Sequence, residues 1–362
     1  MGQSQNSSTA SIAQCAFCVH RDLDDRAMSD FGTRPEARRT NPLRVPIETV
    51  YTFESGQLGS GSVATVRKAR RRHCWDIVRA VKQVDKARVK CRKTVGREIG
   101  ILMTLDHPNI CKMFESYVDY QSIHLVMEFL EGHDLQREID ENIRLKRHDE
   151  TRYSAIVSQL LDAVRYCHDV GVVHRDLRPG HVIVCDTIDY AFPVTKLIDF
   201  GLALEGPPHE GHNTGRLEGS MAYLAPEVHH ATIYSEASDM YSIGVIMFVM
   251  LLERFPSNNV QNDILDIESP DGRDLVSGLL KRDPRLRMIA AQAAKHPWTQ
   301  QHKGIRESSV RGAMKPSGEA EQLDRWLSDL SDLSRTKSGS ALHDVAGIST
   351  EEFDGMLVLG DR

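Results

Sequence analysis

Apolar residues recur along this chain with two different periods. Alternation of apolar and polar residues, or a short apolar run between turn residues, predicts a strand. The predicted strands lie at 48–53, 78–84, 111–117, 122–128 and 195–198. Apolar residues three or four positions apart predict helices instead, and these lie at 94–105, 153–170 and 239–252. Most of the strands therefore precede residue 130, and the two longer helices follow it.

Both ends of the chain lack a sustained period. Residues 1–47 are polar and contain Ser, Arg and Pro, which predicts a disordered N-terminal extension. Residues 302–362 are rich in Ser, Gly and charge, which predicts a mostly disordered tail with a short helix at 320–333. The first residues resemble an N-myristoylation signal, but Asn6 stands where Ser or Thr is expected. Lipid anchoring at Gly2 is therefore a weak alternative.

Composition narrows the class of protein. An apolar fraction of 40% and a charged fraction of 27% are those of an ordinary globular protein. The net charge of -6 gives no field that would attract nucleic acid. Seven scattered cysteines without a framework fit a reducing compartment, so we expect a cytoplasmic protein, with nuclear or membrane-peripheral sites left open. No apolar run is long enough to predict a transmembrane segment.

Five candidate functional features follow one another along the chain. A glycine loop at 58–63 can bring amide groups close to phosphate oxygens. Lys82 follows on a predicted strand and Glu98 on a predicted helix. A charged loop at 174–181 lies between two apolar runs, where a rigid scaffold can hold a catalytic base. Asp-Phe-Gly at 199–201 comes shortly after it.

This order of motifs, which ends with Ala-Pro-Glu at 225–227, resembles the serine/threonine type of eukaryotic protein kinases. The residues and order of the motifs are most similar to those of the calcium/calmodulin-dependent and calcium-dependent protein kinases. The resemblance implies a bilobal α+β fold: an antiparallel sheet with one main helix at 48–130, and a mostly helical lobe at 131–301. It implies a monomer that uses ATP and Mg²⁺, with Mn²⁺ as an alternative, and transfers phosphate to Ser or Thr of protein substrates.

The resemblance assigns a role to each matched catalytic residue. Asp176 would orient the substrate hydroxyl and accept its proton. Lys82, held by Glu98, would place the nucleotide. Arg178 would contact the transferring phosphoryl group, and Asp199 would hold Mg²⁺ across the phosphates.

Nucleotide contacts follow from the same resemblance. The implied set is Leu58, Gly59, Ser60, Gly61, Ser62, Val63, Val66, Ala80, Lys82, Met127, Glu128, Leu130, Asp134 and Ile183. Met127 would line the back of the adenine pocket, and the backbones of Glu128 and Leu130 would bond the adenine edge. Asp134 would reach the ribose or a basic residue of the substrate.

The catalytic loop departs from the family pattern Lys-Pro-Glu-Asn, because the chain has Arg-Pro-Gly-His at 178–181. Arg178 keeps the charge but is longer and planar. His181 replaces an Asn whose side-chain oxygen binds the second Mg²⁺ in the family. The imidazole nitrogen of His181 is a poorer ligand for Mg²⁺ than that oxygen, and Mn²⁺ tolerates it better. One hypothesis is therefore a slow or Mn-preferring kinase. The alternative is a pseudokinase that binds nucleotide or partners without efficient transfer, and a third has the tails carry the function.

The activation segment also departs from the family. Arg216 stands where relatives are often phosphorylated, so the cation Arg175 lacks its usual phosphate partner. Glu218 is a candidate substitute for that phosphate, and Thr214 is a weaker phosphorylation site. The C-terminal tail resembles half of a calcium-binding loop, at 348–353, but the earlier positions have no carboxylates, so no functional EF-hand is expected.

Three structural contacts are also implied in the large lobe. Asp239 would bond the backbone of the catalytic loop, and Arg287 would pair with Glu227. The segment between Phe255 and Asp274 is shorter than in typical relatives, which predicts an incomplete docking region for substrates.

Overall fold

The structure, a computed structural model, describes residues 43, 45–89, 91–186, 192–206, 212–215 and 217–302. Several predictions concern segments wholly or mostly outside these residues: the predicted disorder of both ends, the myristoylation signal, the half calcium loop, the short helix at 320–333, and Arg216. The domain boundaries at 47/48, 130/131 and 301/302 stay predictions. Ile47 is nevertheless buried in the core of the small lobe, beside Tyr51 and Tyr117.

The small lobe is one antiparallel sheet of six strands. They are β1 (Tyr51–Phe53), β2 (Gly59–Ser60), β3 (Ala64–Arg71), β4 (Cys74–Asp85), β5 (Met113–Val118) and β6 (Ser122–Glu128). The spatial order is β1-β3-β4-β6-β5, and β2 pairs with β3. Apolar residues of β4 and β6 form the buried side of the sheet, with Val81, Val84 and Leu125 almost fully covered. The predicted α+β class is confirmed.

The first predicted strand was partly wrong. Residues Ile47–Thr49 form a 3-10 turn, and the strand begins only at Tyr51. Pro46 fixes the backbone at φ -57°, and its carbonyl accepts from both the amide and the hydroxyl of Thr49. These local bonds compete with strand pairing at positions 48–50.

One helix, α1 (Arg92–Thr104), packs on this sheet. Its apolar face buries Val95, Ile101 and Leu102. Glu98 lies on the same side and is only 5% exposed, so a charged group is brought into the interior. A buried carboxylate requires a partner, and the functional site supplies it.

The large lobe is mostly helical. Its helices are α2 (Leu135–Leu145), α3 (Glu150–Asp169), α4 (Pro226–Ala231), α5 (Glu236–Leu252), α6 (Val260–Asp263), α7 (Pro270–Leu279), α8 (Ala290–Ala293) and α9 (Pro297–Gln300). Its short strands are β7 (His133–Asp134), β8 (Val172–Val173), β9 (Val182–Cys185), β10 (Val194–Leu197), β11 (Leu204–Glu205), β12 (His212–Asn213) and β13 (Ile233–Tyr234). β9 lies between β7 and β10, while β11 pairs with β8 and β12 with β13.

Two buried helices form the centre of this lobe. Asp149 caps α3 by accepting from the amide of Arg152 at 2.9 Å, and Ser235 opens α5 with a capping box. α5 is apolar on nearly every side because it packs between α3 and α7. Among the described residues, no helix combines the length and apolarity that crossing a membrane would need. These two helices give a rigid base for the loop that follows α3.

Candidate active site

A buried cation joins both lobes at the site. Lys82 extends from β4, and its Nζ donates to Oε1 of Glu98 on α1 at 2.6 Å. The same Nζ donates to Oδ1 of Asp199, which follows β10, at 3.1 Å. The predicted pairing of Lys82 with Glu98 is therefore confirmed, and Asp199 completes a connection from the sheet to the large lobe.

The charges of this cluster are fixed by their neighbours. Burial alone would lower the pKa of Lys82, but Glu98 and Asp199 outweigh it and raise the pKa above its usual value. Burial pulls the pKa of the Asp199 carboxyl upward, yet the charge of Lys82 and the hydrogen bond that Lys82 donates contribute to bringing it down to about 2. Lys82 is therefore a permanent cation and Asp199 a permanent anion at neutral pH, as phosphate and metal binding require.

Asp239 holds the catalytic loop from below. Its Oδ2 accepts from the amide of His174 at 2.8 Å, and its Oδ1 accepts from the amide of Arg175 at 2.9 Å. His168 contacts the same carboxylate at 3.0 Å. Arg175 has a left-handed backbone, at φ 72°, and these bonds hold it there. The predicted contact of Asp239 with this loop is confirmed.

Asp176, the expected base, is oriented by a residue that sequence reasoning missed. Its Oδ1 accepts from both the amide and the hydroxyl of Ser220, each at 2.9 Å. Its Oδ2 lies 3.5 Å from Nδ1 of His181 and remains the oxygen available to a substrate hydroxyl. In the sequence, the one sign of this contact is that Ser220 directly follows a glycine, Gly219. In the structure, the backbone of Gly219 turns with φ 100°.

His181 lies between the two catalytic carboxylates. Its Nδ1 is 2.9 Å from the carbonyl oxygen of Asp176 and bonds this backbone acceptor. Its Nε2 is 3.2 Å from Nε of Arg178, which can only donate. We therefore assign the proton to Nδ1 and the lone pair to Nε2. Nε2 lies 3.6 Å from Oδ2 of Asp199, so this lone pair is close to the metal-binding carboxylate.

The guanidinium of Arg178 lies beside Gly180 and borders a surface cavity. A side-chain carbon on Gly180 would lie 3.4 Å from Nη2 of Arg178, so the guanidinium covers that glycine. Arg178 also lines a cavity of about 540 Å³ together with Asp134, Asp140 and Tyr223. Contact of Arg178 with a transferring phosphoryl group stays a prediction. The part of the guanidinium that faces this cavity would make that contact.

The donor set fits a metal that shares its coordination with nucleotide phosphates. Among the described residues, no group of three or more His, Cys, Asp and Glu side chains is arranged to hold an ion alone. Mg²⁺ commonly takes only one or two protein ligands and completes its shell with phosphates and water. Asp199 offers a carboxylate oxygen and His181 an imidazole nitrogen. A nitrogen in that set suits Mn²⁺ better than Mg²⁺.

Strand pairing places several of the predicted nucleotide contacts beside one another. In the small lobe, Val66 pairs with Lys82 across β3 and β4, and Ala80 pairs with Met127 across β4 and β6. In the large lobe, Ile183 pairs with Asp134 across β9 and β7. The loop residues Leu58, Gly59, Ser60, Gly61, Ser62 and Val63 are exposed, and the loop closes by a bond from the Gly61 amide to the Ala64 carbonyl. Their roles stay predictions.

Hydrogen bonds within the protein limit which backbone groups between the lobes can contact an adenine ring. The amide of Glu128 donates to the carbonyl of Lys112 at 2.8 Å, so only the carbonyl of Glu128 is available to an adenine edge. Its side chain pairs with Lys196 at 2.8 Å. Leu130 follows β6 at the passage to the large lobe. Asp134 caps α2 by accepting from the amide of Arg137 at 2.8 Å, which fixes its carboxylate at the cleft edge.

Two predicted ion pairs of the large lobe are present. Nη1 of Arg287 donates to Glu227 at 2.6 Å, and Nη2 donates to the second carboxylate oxygen at 3.0 Å. Glu218 contacts Nη2 of Arg175 at 2.5 Å. The segment that follows the catalytic loop is therefore fixed to the large lobe at both of these carboxylates.

Comparison with known proteins finds similarity to protein kinases. The family described as "Protein kinase domain" matches residues 53–299. The human Serine/threonine-protein kinase DCLK3 is 32% identical over 286 residues, which cover 73% of this chain and 43% of that protein. Calcium-dependent protein kinase 5 of Plasmodium falciparum (isolate 3D7) is 30% identical over 273 residues, covering 71% and 46%. CDPK-related kinase 5 of Arabidopsis thaliana is 34% identical over 239 residues, covering 60% and 39%. The chain thus spans less than half the length of each of these relatives.

Proposed function

The chain belongs to the protein kinase family, and from this premise we propose that it transfers the γ-phosphoryl group of ATP to Ser and Thr hydroxyls of proteins. The observation that supports this most directly is the assembled contact of Lys82 with Glu98 and Asp199, at 2.6 and 3.1 Å. A cation and an anion held together in this way suit the binding of a nucleotide's phosphates and their metal ion, which phosphoryl transfer requires.

The residues divide the work of phosphoryl transfer between them. Lys82 and the amides of the glycine loop bind phosphate oxygens and place the nucleotide. Asp176 accepts the proton of the substrate hydroxyl at Oδ2, while Ser220 keeps its other oxygen in place. Asp199, with His181 beside it, would hold a divalent ion, which neutralises the charge of the phosphates when bound. Arg178 adds a further positive charge on the acceptor side.

We further propose that transfer is slow with Mg²⁺ and faster with Mn²⁺. The support for this is His181, which presents a nitrogen 3.6 Å from the metal-binding oxygen of Asp199. Mn²⁺ accepts imidazole ligands more readily than Mg²⁺ does. Cytoplasmic localisation and a monomeric state are also proposals. The scattered arrangement of the seven cysteines along the sequence supports the first. Cell fractionation would test the localisation, and size-exclusion chromatography would test the monomeric state.

The test is phosphate transfer from ATP to a mixture of basic Ser/Thr peptides, in Mg²⁺ and in Mn²⁺. We expect Asp176→Asn to abolish turnover and His181→Asn to lower the ratio of Mn²⁺ to Mg²⁺ rates. His230→Asn serves as the matched control, because His230 is exposed on α4. Equal wild-type rates in both metals, at the level of ordinary kinases, would refute the metal preference.

A pseudokinase is the second candidate function. The observation that favours it is the bond from Arg178 to His181, which uses the lone pair that a second metal would need. A protein of this kind would bind ATP in a thermal-shift assay and show no phosphate transfer that Asp176→Asn removes. Measurable Asp176-dependent turnover would decide against it.

A further inference from the structure

The turn between β3 and β4 gathers positive charge at one end of the small lobe. Arg70, Arg71 and Arg72 follow one another there. Arg71 pairs with Cys74 across the two strands, so only two residues form the connection, and both are exposed. Successive side chains of a strand point to opposite faces of the sheet. The three arginines therefore surround the end of the hairpin instead of lining one face.

Carboxylates neutralise only part of this charge. Glu54 lies 2.6 Å from Nε of Arg70 and 3.7 Å from Nζ of Lys68. Within the described part of the chain, Arg71 and Arg72 form no ion pair, and Nε of Arg72 donates to the carbonyl of Glu48 at 2.6 Å. Charges farther away than about 8 Å are largely screened at physiological salt. The turn therefore attracts anions although the net charge of the whole chain is -6.

A tryptophan is exposed beside these arginines. Trp75 is the second residue of β4 and is 59% exposed. Nη1 of Arg70 donates to the carbonyl of Trp75 at 3.0 Å, which keeps the backbone of the tryptophan next to the guanidinium. Tryptophan is enriched where membranes meet water, because its ring is apolar and its N–H is polar. Arginines and an exposed indole together are the components of an interfacial membrane anchor.

We propose that the β3–β4 turn docks the protein onto a membrane surface that contains anionic lipids. The arginines bind the phosphate and carboxylate groups of the lipid headgroups, and the indole of Trp75 enters the headgroup layer. The cytoplasmic leaflet supplies such lipids. A two-residue turn is convex, which suits a flat lipid surface. A single nucleic-acid strand fits less well, because proteins that bind it stack successive bases on several aromatic rings along a groove, and the turn presents one ring.

The position of the turn leaves the nucleotide site accessible. β3 has eight residues, which span about 26 Å in an extended strand, and the glycine loop lies at its other end. The N-terminal part of the described chain reaches the same turn, because the amide of Arg72 donates to the carbonyl of Val50 at 2.7 Å. Residues 34–44 contain four arginines and one glutamate, so the charge of this preceding sequence has the same sign.

Co-sedimentation with vesicles tests the proposal. The full chain is mixed with vesicles of phosphatidylcholine alone, or of phosphatidylcholine with about 30% phosphatidylserine. We expect binding only to the second kind, and weaker binding at high salt. Arg71→Gln with Arg72→Gln should lower the partition coefficient about 25-fold, because each arginine near such a surface contributes about fivefold. Asp76→Asn removes an exposed anion directly after Trp75 and should raise the partition coefficient about fivefold.

Control variants separate charge from structure. Arg71→Lys with Arg72→Lys keeps both charges but removes the guanidinium bond to the carbonyl of Glu48, so this variant should bind vesicles as the wild type does. Arg285→Gln removes an arginine that is 86% exposed in the large lobe. Tyr120→Ala removes an aromatic ring that is 96% exposed between β5 and β6. Neither of these two variants should change binding.

Tryptophan fluorescence tests whether the contact is made by the turn. In Trp326→Phe the remaining tryptophans are Trp75 and the buried Trp298. Anionic vesicles should shift the emission of this variant to shorter wavelength, because the indole of Trp75 leaves water for the headgroup layer. Adding Trp75→Phe should remove the shift and weaken binding.

Three results would overturn the proposal: a Gln double variant that binds as well as the wild type, a Lys double variant that loses binding, or a wild type that binds neutral and anionic vesicles equally. Tighter binding to a single-stranded RNA oligonucleotide than to anionic vesicles would also overturn it, and would assign the turn to nucleic acid. None of these readouts involves phosphate transfer, so the proposal is tested independently of the proposed kinase activity.

Discussion

Gly219 should tolerate no side chain, and the cost can be worked out from its surroundings. Its backbone has φ 100°, a conformation that L-residues rarely adopt. A Cβ at this position would lie 2.8 Å from the carbonyl oxygen of Arg175 and 3.1 Å from Cδ2 of Leu224. It would also come within 3.5 Å of Oδ1 of Asp176. Gly219→Ala therefore pushes on the catalytic loop itself.

Two terms contribute to the destabilisation. A side chain in a left-handed backbone costs about 1–2 kcal/mol, and overpacking against fixed backbone costs about 1–3 kcal/mol. The sum of about 2–5 kcal/mol is a large part of the roughly 5–15 kcal/mol that stabilises a typical domain. For a domain of this size each kcal/mol lowers Tm by about 2–4 °C, so Tm should fall by about 4–20 °C. Because the displaced atoms include Asp176, kcat should also fall at least about tenfold.

The same substitution elsewhere should have the opposite effect on stability. Gly100 lies within α1, and a Cβ there would meet no atom within 4 Å. Alanine is the better helix former by about 1 kcal/mol, so Gly100→Ala should raise Tm by about 2–4 °C and leave kcat unchanged.

Thermal denaturation and steady-state kinetics on both variants check this reasoning. The decisive comparison is the sign of the two Tm shifts, because the substitution is chemically identical. If Gly219→Ala keeps wild-type Tm and kcat, then neither the backbone conformation nor the contact with Arg175 constrains the catalytic loop.

Other predictions concern stability and reactivity. Glu227→Gln leaves the fully buried guanidinium of Arg287 without a counter-charge, so unfolding free energy should fall by about 3–5 kcal/mol in urea titrations; an unchanged midpoint would contradict it. Burial lowers the pKa of His174, so the unfolded chain binds its proton first as pH falls below about 6.5. Stability at pH 5.5 should therefore be lower than at pH 7.5, and His174→Gln should reduce this difference; an equal loss in both proteins excludes His174 as its source. Amides at the start of α1 lower the pKa of the exposed Cys91 thiol, whereas burial raises that of Cys167. Iodoacetamide should modify Cys91 before Cys167, as peptide mapping can show.

Contacts that belong to motifs were predictable from the sequence. Lys82 with Glu98 and Arg287 with Glu227 were expected because each partner stands in a short motif that resembles one of the protein kinase family, and the resemblance implies these pairs. The carboxylate of Asp239 was expected below the catalytic loop for the same reason. All three are present at hydrogen-bond distance. The common physical cause is that rigid strands and helices position these groups.

Contacts made by irregular segments were not predictable in the same way. Ser220 bonds Asp176 across 44 residues of sequence, from a loop that has no hydrophobic period. The bond exists because the backbone turns at Gly219, and a turn of this kind leaves only a glycine as its sign. The start of β1 was misplaced for a related reason, since Pro46 organises a local turn that alternation alone does not reveal.

The three residues by which the catalytic loop departs from the family pattern, Arg178, Gly180 and His181, contact one another. Arg178 donates to Nε2 of His181 at 3.2 Å, and its guanidinium lies in van der Waals contact with the position where Gly180 lacks a side chain. The arginine therefore has the histidine as its acceptor and lies beside the glycine, where an added Cβ would make only ordinary van der Waals contact with it. The lone pair of Nε2 can serve Arg178 or a metal beside Asp199, but not both at once. Movement of Arg178 towards a phosphoryl group would release that lone pair, so the phosphate contact and the second metal ligand should become available together.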